Sequence, residues 1–168
     1  LRDGVRFVTA SSAATYGGGE KGYSDDDAVT PTLVPLNMYG YSKQMFDLWA
    51  LRSGALDSIA GLKYFNVYGP GEAHKGDMRS VVHKSFGQIR DAGRVQLFRS
   101  HLPEYKDGEQ VRDFLYVKDA VGMTLWLGEN PSIGGLFNCG TGTPRTWLAL
   151  VTAVFSAMDL EPDIEFVN

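Results

Sequence analysis

An α/β fold with a mostly parallel sheet is what this sequence predicts, and three observations carry the prediction. Short apolar runs of strand character alternate with longer stretches of helical periodicity along the whole chain. The runs end on Gly, Pro or Asn, where strands hand over to turns. The composition, 43% hydrophobic and 21% charged over 168 residues, is that of a globular chain long enough to bury a core.

The elements follow in order. "VRFVTA" (Val5–Ala10) reads as a short buried strand. Residues Ser11–Leu36 are rich in Gly, Ser, Asp, Thr and Pro and read as one long loop, and loops of that length in compact domains are usually functional. A helix is expected from Tyr39 to Arg52, with Met45, Phe46, Leu48, Trp49 and Leu51 as its apolar face and Gly54 as its stop. "IAGLKYF" (Ile59–Phe65) is the next strand, halted by "NVYGPG". Helical patterning returns over Met78–Ala92. "VQLF" (Val95–Phe98) and "VRDFLYV" (Val111–Val117) are strands around a polar loop. A helix over Lys118–Glu129, a strand in "GLFNCG", a helix over Thr146–Met158 and a final strand in "DIEFV" complete the reading.

Several function classes are excluded at this level. The formal net charge is −4 and the basic residues are scattered, so nothing offers a grip on nucleic acid or an acidic membrane surface. No apolar run approaches the length of a membrane span. The single cysteine, Cys139, rules out an internal disulfide framework, and a reducing compartment fits. His74, His83 and His101 lack metal-ligand spacing with one another or with Cys139, so no metal is assigned. The glycine clusters "YGGGEKG" and "CGTGTP" lack the G-x-G-x-x-G spacing and read as turns.

The chemistry centres on "NMYGYSKQMF". Tyr39 and Lys43 stand four apart, on one face of the expected helix. An ammonium there favours the phenolate, so Tyr39 could exchange a proton with a carbinol or carbonyl oxygen. The plainer alternative is a half-exposed aromatic beside a solvated lysine. In "TASSAATYGG" a strand ends in Ser11 and Ser12, where α/β folds form ligand sites, and Ser12 could bind the same oxygen. Small residues that merely end a strand explain it equally. In "KYFNVYGPGEAHKGDM", Lys75 is either a second base or a solvated loop lysine.

These residues, with the blocks "FNVYGP", "RDFLYVKDA" and "FNCGTG", resemble the extended short-chain dehydrogenase/reductase family, whose members are NAD(P)-using nucleotide-sugar epimerases and dehydratases. The resemblance runs from "FVTASSAATYGG" to the helix after "GTG". The stretches "SSAATYGG", "NMYGYSK" and above all "GPGEAHKGDM" are most similar to the branch that epimerises ADP-activated heptoses at C6″, which serves lipopolysaccharide precursor synthesis. The other branches, sugar-nucleotide 4-epimerases and 4,6-dehydratases, usually differ in that last loop. A non-catalytic truncated chain or binding module is the third reading.

The resemblance implies roles. Tyr39 and Lys75 would be opposed acid/base groups, Lys43 would hold the nicotinamide ribose, and Ser12 would bind the reacting oxygen. Tyr39, Lys43, Val67 and Lys75 would contact the cofactor, NADP or else NAD. Asn66, Asp77, Lys84, Phe98, Arg99, Ser100 and Arg112 would contact the substrate, with Arg112 offered to the diphosphate. Asp77 stands where the family has a small serine, and "HLPEYKDGEQ" lengthens the loop before Arg112. The partner implied is ADP-heptose, for a cytoplasmic enzyme that is homo-oligomeric at full length.

Matched to the family, the chain is expected to be the second half of a Rossmann-like parallel sheet plus part of a small C-terminal substrate-binding lobe. Residues 1–70 would be Rossmann, and 71–168 would interleave lobe segments with the last Rossmann strand and helix. The Gly-rich turn that seats a dinucleotide pyrophosphate would lie outside these residues. The 168 residues alone are therefore expected to be inactive.

Overall fold

The computed structural model describes residues 5–101 and 103–168. The α/β expectation holds. Nine strands and four helices are present among the described residues, and four of the five strand pairings are parallel. They form two compact units. One runs to Phe65 and resumes over Lys118–Gly140. The other comprises Asn66–Val117 and Thr141–Asn168.

The first unit is built on a three-stranded parallel sheet in the order β1-β2-β7, from β1 (Phe7–Ser12), β2 (Ile59–Tyr64) and β7 (Gly135–Cys139). Strand β2 is central and pairs Ala10 with Leu62 on one side and Leu62 with Phe137 on the other. Its residues Ile59–Lys63 are all buried, as a strand covered on both faces requires. After β1 the chain makes a 3₁₀ turn (Ala13–Tyr16), and a second one spans Thr30–Thr32 inside the expected loop.

Helix α1 spans Met38–Arg52. Asn37 caps it, accepting the Gly40 N–H at 2.9 Å, and left-handed Gly54 follows its end. The expected apolar face of α1 needs correction. Met45 and Trp49 are exposed, and the buried stripe is Gly40, Gln44, Asp47 and Ala50. Gly40 is there because a Cβ would meet the Ala14 carbonyl oxygen and the Pro35 Cβ at 2.7 Å each. Ala50, Leu56 and Leu136 form a small core with Phe46, Leu51 and Ala55 around it. Helix α3 (Val117–Glu129) completes the unit. The Arg6 guanidinium donates to the carbonyls of Leu127 and Ile133 at 2.9 and 2.6 Å, tying the end of α3 to the start of β1.

In the second unit, β3 (Asn66–Tyr68) pairs in parallel with β6 (Phe114–Tyr116), and β4 (Val95–Phe98) with β9 (Ile164–Val167). Short β5 (Val111–Arg112) runs antiparallel to β8 (Arg145–Thr146). Two expectations are overturned here. "NVY" is a strand rather than a stop, and "VRDFLYV" is two strands broken at Asp113. The Asp113 carboxylate turns away to accept the N–H groups of Thr141 and Gly142 at 2.9 and 2.8 Å. Helix α2 (Val81–Ala92) begins three residues later than expected, because Ser80 caps it through the His83 N–H. With α4 (Trp147–Ala157) it encloses a core of Ile89, Val95, Leu97, Val151 and Phe155. Leu102, within the lengthened loop, lies outside the described residues.

Candidate active site

In the first unit, β1 ends on Ser11 and Ser12, and both are buried. Ser12 caps the 3₁₀ turn by accepting the Ala14 N–H at 3.1 Å, which leaves its own proton to donate. Tyr39 lies in the first turn of α1 with its side chain 57% exposed. One turn on, the Lys43 ammonium sits 5.8 Å from the Tyr39 ring centroid, so the two share a face as the spacing requires. Lys43 also donates to the Ala10 carbonyl at 2.8 Å, fixing α1 to β1 two residues before Ser12. Only one of its three protons is used there.

Beneath this face lies a buried ion pair. Asp47, two turns after Tyr39, meets Lys63 of β2 at 3.3 Å, and both side chains are fully buried. Ser11 donates to the same Asp47 oxygen at 2.7 Å, and Lys63 donates to the Thr15 hydroxyl at 3.1 Å. Burial pushes the Lys63 ammonium down, and the Asp47 carboxylate opposes that shift. The Lys63 ammonium lies 4.9 Å from the Tyr16 ring centroid. Tyr16 itself donates to Asn138 at 2.7 Å, and burial followed by the Asp25 charge pushes its phenol up. At 1% exposure it is a core group, whereas Tyr39 is open to a ligand.

The second unit holds a cleft of about 300 Å³. Asn66 and Val67 from β3, Lys75 from the following loop, and Phe114 and Trp147 line it. Three sequence-predicted residues are thus brought together: Asn66, Val67 and Lys75. Arg112 on β5 is exposed and does not itself line the cleft, but its guanidinium lies 5.9 Å from the ring centroid of Trp147, which does. The others stand apart from the lining. Asp77 is exposed in the 3₁₀ stretch Ala73–Met78, and Lys84 is half-buried on α2. Phe98, Arg99 and Ser100 follow one another off the end of β4. Phe98 is 77% exposed, and Asp107 holds the Arg99 guanidinium at 2.9 Å and the Ser100 N–H at 2.8 Å. Among the described residues no group of three or more His, Cys, Asp or Glu side chains could hold a metal, and no helix is long and apolar enough to cross a membrane.

Sequence reasoning missed four contributors: the buried pair Asp47 and Lys63, and Glu72 and Trp147, which also line the cleft. For two of them a signal existed. A lysine inside the apolar run "IAGLKYF" implies a buried partner, and Asp47 continues the Tyr39–Lys43 face by one more turn.

The chain is 62% identical, over all its residues, to the ADP-L-glycero-D-manno-heptose-6-epimerase of Nitratidesulfovibrio vulgaris strain DP4, covering 52% of that protein. It is 47% identical to the enzyme of the same name from Fusobacterium nucleatum, matching 91% of this chain and 47% of that one. The crystal structure of the Helicobacter pylori ADP-L-glycero-D-manno-heptose-6-epimerase superposes with a TM-score of 0.81 at 28% identity, over 97% of this chain and 48% of that one. The chain therefore spans about half the length of the curated relatives it matches. Residues 1–140 match the model of the family described as NAD dependent epimerase/dehydratase. With that model matching most of its length, the chain belongs to the NAD dependent epimerase/dehydratase family.

Proposed function

We propose that the whole protein converts ADP-D-glycero-D-manno-heptose to its L-glycero epimer by transient oxidation at C6″, in the supply of lipopolysaccharide precursors. The observation that carries this reading is Lys75 lining one cleft with Asn66 and Val67, in a chain that also holds the Tyr39–Lys43 pair. The names of relatives at 62% and 47% identity support the choice of sugar.

A bound nicotinamide supplies removal of hydride from C6″ and its return, with no net redox change. Tyr39, Lys43, Val67 and Lys75 would hold it, as NADP in this reading. Two spare Lys43 protons suit a ribose, and half-buried Val67 offers an apolar surface to a ring. Ser12 donates its proton to the reacting oxygen. Tyr39 exchanges the hydroxyl proton in one direction and Lys75 in the other. Arg112, backed by the Trp147 ring, suits the diphosphate through its fork of donors. The same reading makes the whole protein cytoplasmic and homo-oligomeric.

The test is direct. The whole protein is incubated with the D-glycero substrate and no added reductant, and C6″ is followed by NMR. Appearance of the L-glycero epimer is expected. Turnover of a UDP- or dTDP-hexose with the heptose untouched would overturn the substrate.

A further inference from the structure

We propose that Glu72 is a positioning residue for Lys75, latching the two ends of the loop that presents Lys75 to the cleft. The proposal rests on the reading of Lys75 as an acid/base group. Every residue from Ala73 to Met78 is exposed, yet Glu72, at the head of this stretch, is only 5% exposed. Its carboxylate points back across the loop's mouth. One oxygen accepts the Gly69 N–H at 3.1 Å and the Ser80 hydroxyl at 2.7 Å, and the other accepts the Ser80 N–H at 2.6 Å. One side chain therefore ties the residue after β3 to the cap of α2.

The tie is directional. Ser80 spends its only hydroxyl proton on Glu72 and receives the His83 N–H at 3.2 Å as the cap of α2. The Glu72 carbonyl accepts the Lys75 N–H at 2.9 Å, so the same residue also fixes the backbone turn from which Lys75 departs. The ammonium is then carried on a short tab whose two roots are joined. Burial raises the Glu72 carboxyl, but the Ser80 and Gly69 donors and the Lys75 charge together hold it below its ordinary value. The carboxylate is charged at neutral pH, and its bonds to neutral donors are the strong, charge-assisted kind. Holding a lysine's backbone in this way serves catalysis because a small misplacement of a proton-transfer group is costly in rate.

The experiment uses Glu72→Gln in the whole protein. The amide keeps the size but turns a donor toward groups that are themselves donors. Hydrogen exchange of the Gly69, Lys75 and Ser80 amides is expected to speed up by about tenfold or more, while Val151 and Phe155 in the core keep their wild-type protection. With the heptose substrate, kcat should fall by about ten- to a hundredfold with KM changed little. Glu72→Asp, which keeps the charge, should recover part of both, and Ser80→Ala should loosen the same amides if Glu72→Gln does not fold. Unchanged exchange in the loop, or equal loosening of loop and core, overturns the latch. Full turnover in Lys75→Ala would instead remove the acid/base reading, and the exchange result would still judge the latch.

Discussion

Tyr39 sits in the first turn of a 15-residue helix, whereas Lys75 sits in a six-residue 3₁₀ stretch kinked at Gly76. The helix is held many times over. Asn37 caps it, Gly40 lets it approach Ala14 and Pro35, Lys43 bonds Ala10, Gln44 bonds the Thr30 carbonyl, and Asp47 joins Ser11 and Lys63. The Lys75 stretch has one buried carboxylate at its root and, besides it, an exposed local bond from the Arg79 guanidinium to the Gly76 carbonyl at 2.6 Å. Two groups proposed for the same proton cycle are therefore restrained by redundancy in one case and by a single latch in the other. Redundant supports fail one at a time, and each failure costs mainly stability. A single latch fails at once, and its failure costs geometry while the fold survives.

The largest effects test the two groups themselves. In the whole protein, Tyr39→Phe and Lys75→Met are each expected to lower the epimerisation rate by about 10²–10⁴-fold. The double variant should lose less than the product of the two, since both serve one cycle. Steady-state kinetics with the heptose substrate and unchanged circular dichroism check this. Near-normal turnover in Lys75→Met would end the comparison, leaving Tyr39 alone.

Next comes the buried pair under the Tyr39 helix. Removing either partner alone, by Lys63→Met or Asp47→Ala, strands a charge in the core and should cost about 3–5 kcal/mol of stability. The double variant should cost less than the sum, because neither charge is then left alone. Urea unfolding of the four proteins measures the coupling. An additive result would show that Lys63 and Asp47 act independently.

The latch gives a smaller, pH-dependent effect whose sign is fixed. Glu72 is held below its ordinary value of 4.5, so the folded protein binds fewer protons there than the unfolded one. Its contribution is fully present above that value and is lost as pH falls through the depressed one. The extra protection of the Gly69 and Ser80 amides in wild type over Glu72→Gln, worth about 1–3 kcal/mol of local opening, should therefore persist at neutral pH and disappear on the acid side of 4.5. Persistence of the gap in strong acid would mean that shape, not charge, closes the loop.

The same contrast explains what could be read from the residues alone. The Tyr39–Lys43 pair is local: four residues on one helix, so spacing alone aligns them, and the lysine is found beside the ring. The strand–helix alternation was legible for the same reason. What was lost depended on partners distant in sequence. Met45 and Trp49 looked like the core face of α1, but the inward stripe carries Asp47, which only Ser11 and Lys63 make tolerable there. "NVY" looked like a turn because its pairing strand, β6, lies far along the chain. "VRDFLYV" looked continuous because the partners of Asp113 are Thr141 and Gly142. Glu72 stood in plain view inside "GPGEAHKGDM", yet nothing in that spacing tells that its carboxylate turns inward to Ser80.

The smallest effect is the sharpest check on redundancy. Asn37 accepts the Gly40 N–H and satisfies one of the unpaired donors at the start of α1. Asn37→Ala removes that acceptor and should cost about 1 kcal/mol, a fall of a few degrees in Tm, while Asn37→Ser should restore most of it. Tyr39 is only two residues away, so a helix depending on its cap would fray at the tyrosine and lose rate. The bonds from Lys43, Gln44 and Asp47 lie further along the same helix and remain in the variant. The expected result is therefore a measurable loss of stability with kcat within about twofold of wild type, since exposed-cap losses are small beside those tertiary ties. A kcat loss in Asn37→Ala as large as that in Glu72→Gln would show that the two supports are of one kind, and that the difference between helix and loop does not govern how the two proton-transfer groups are held.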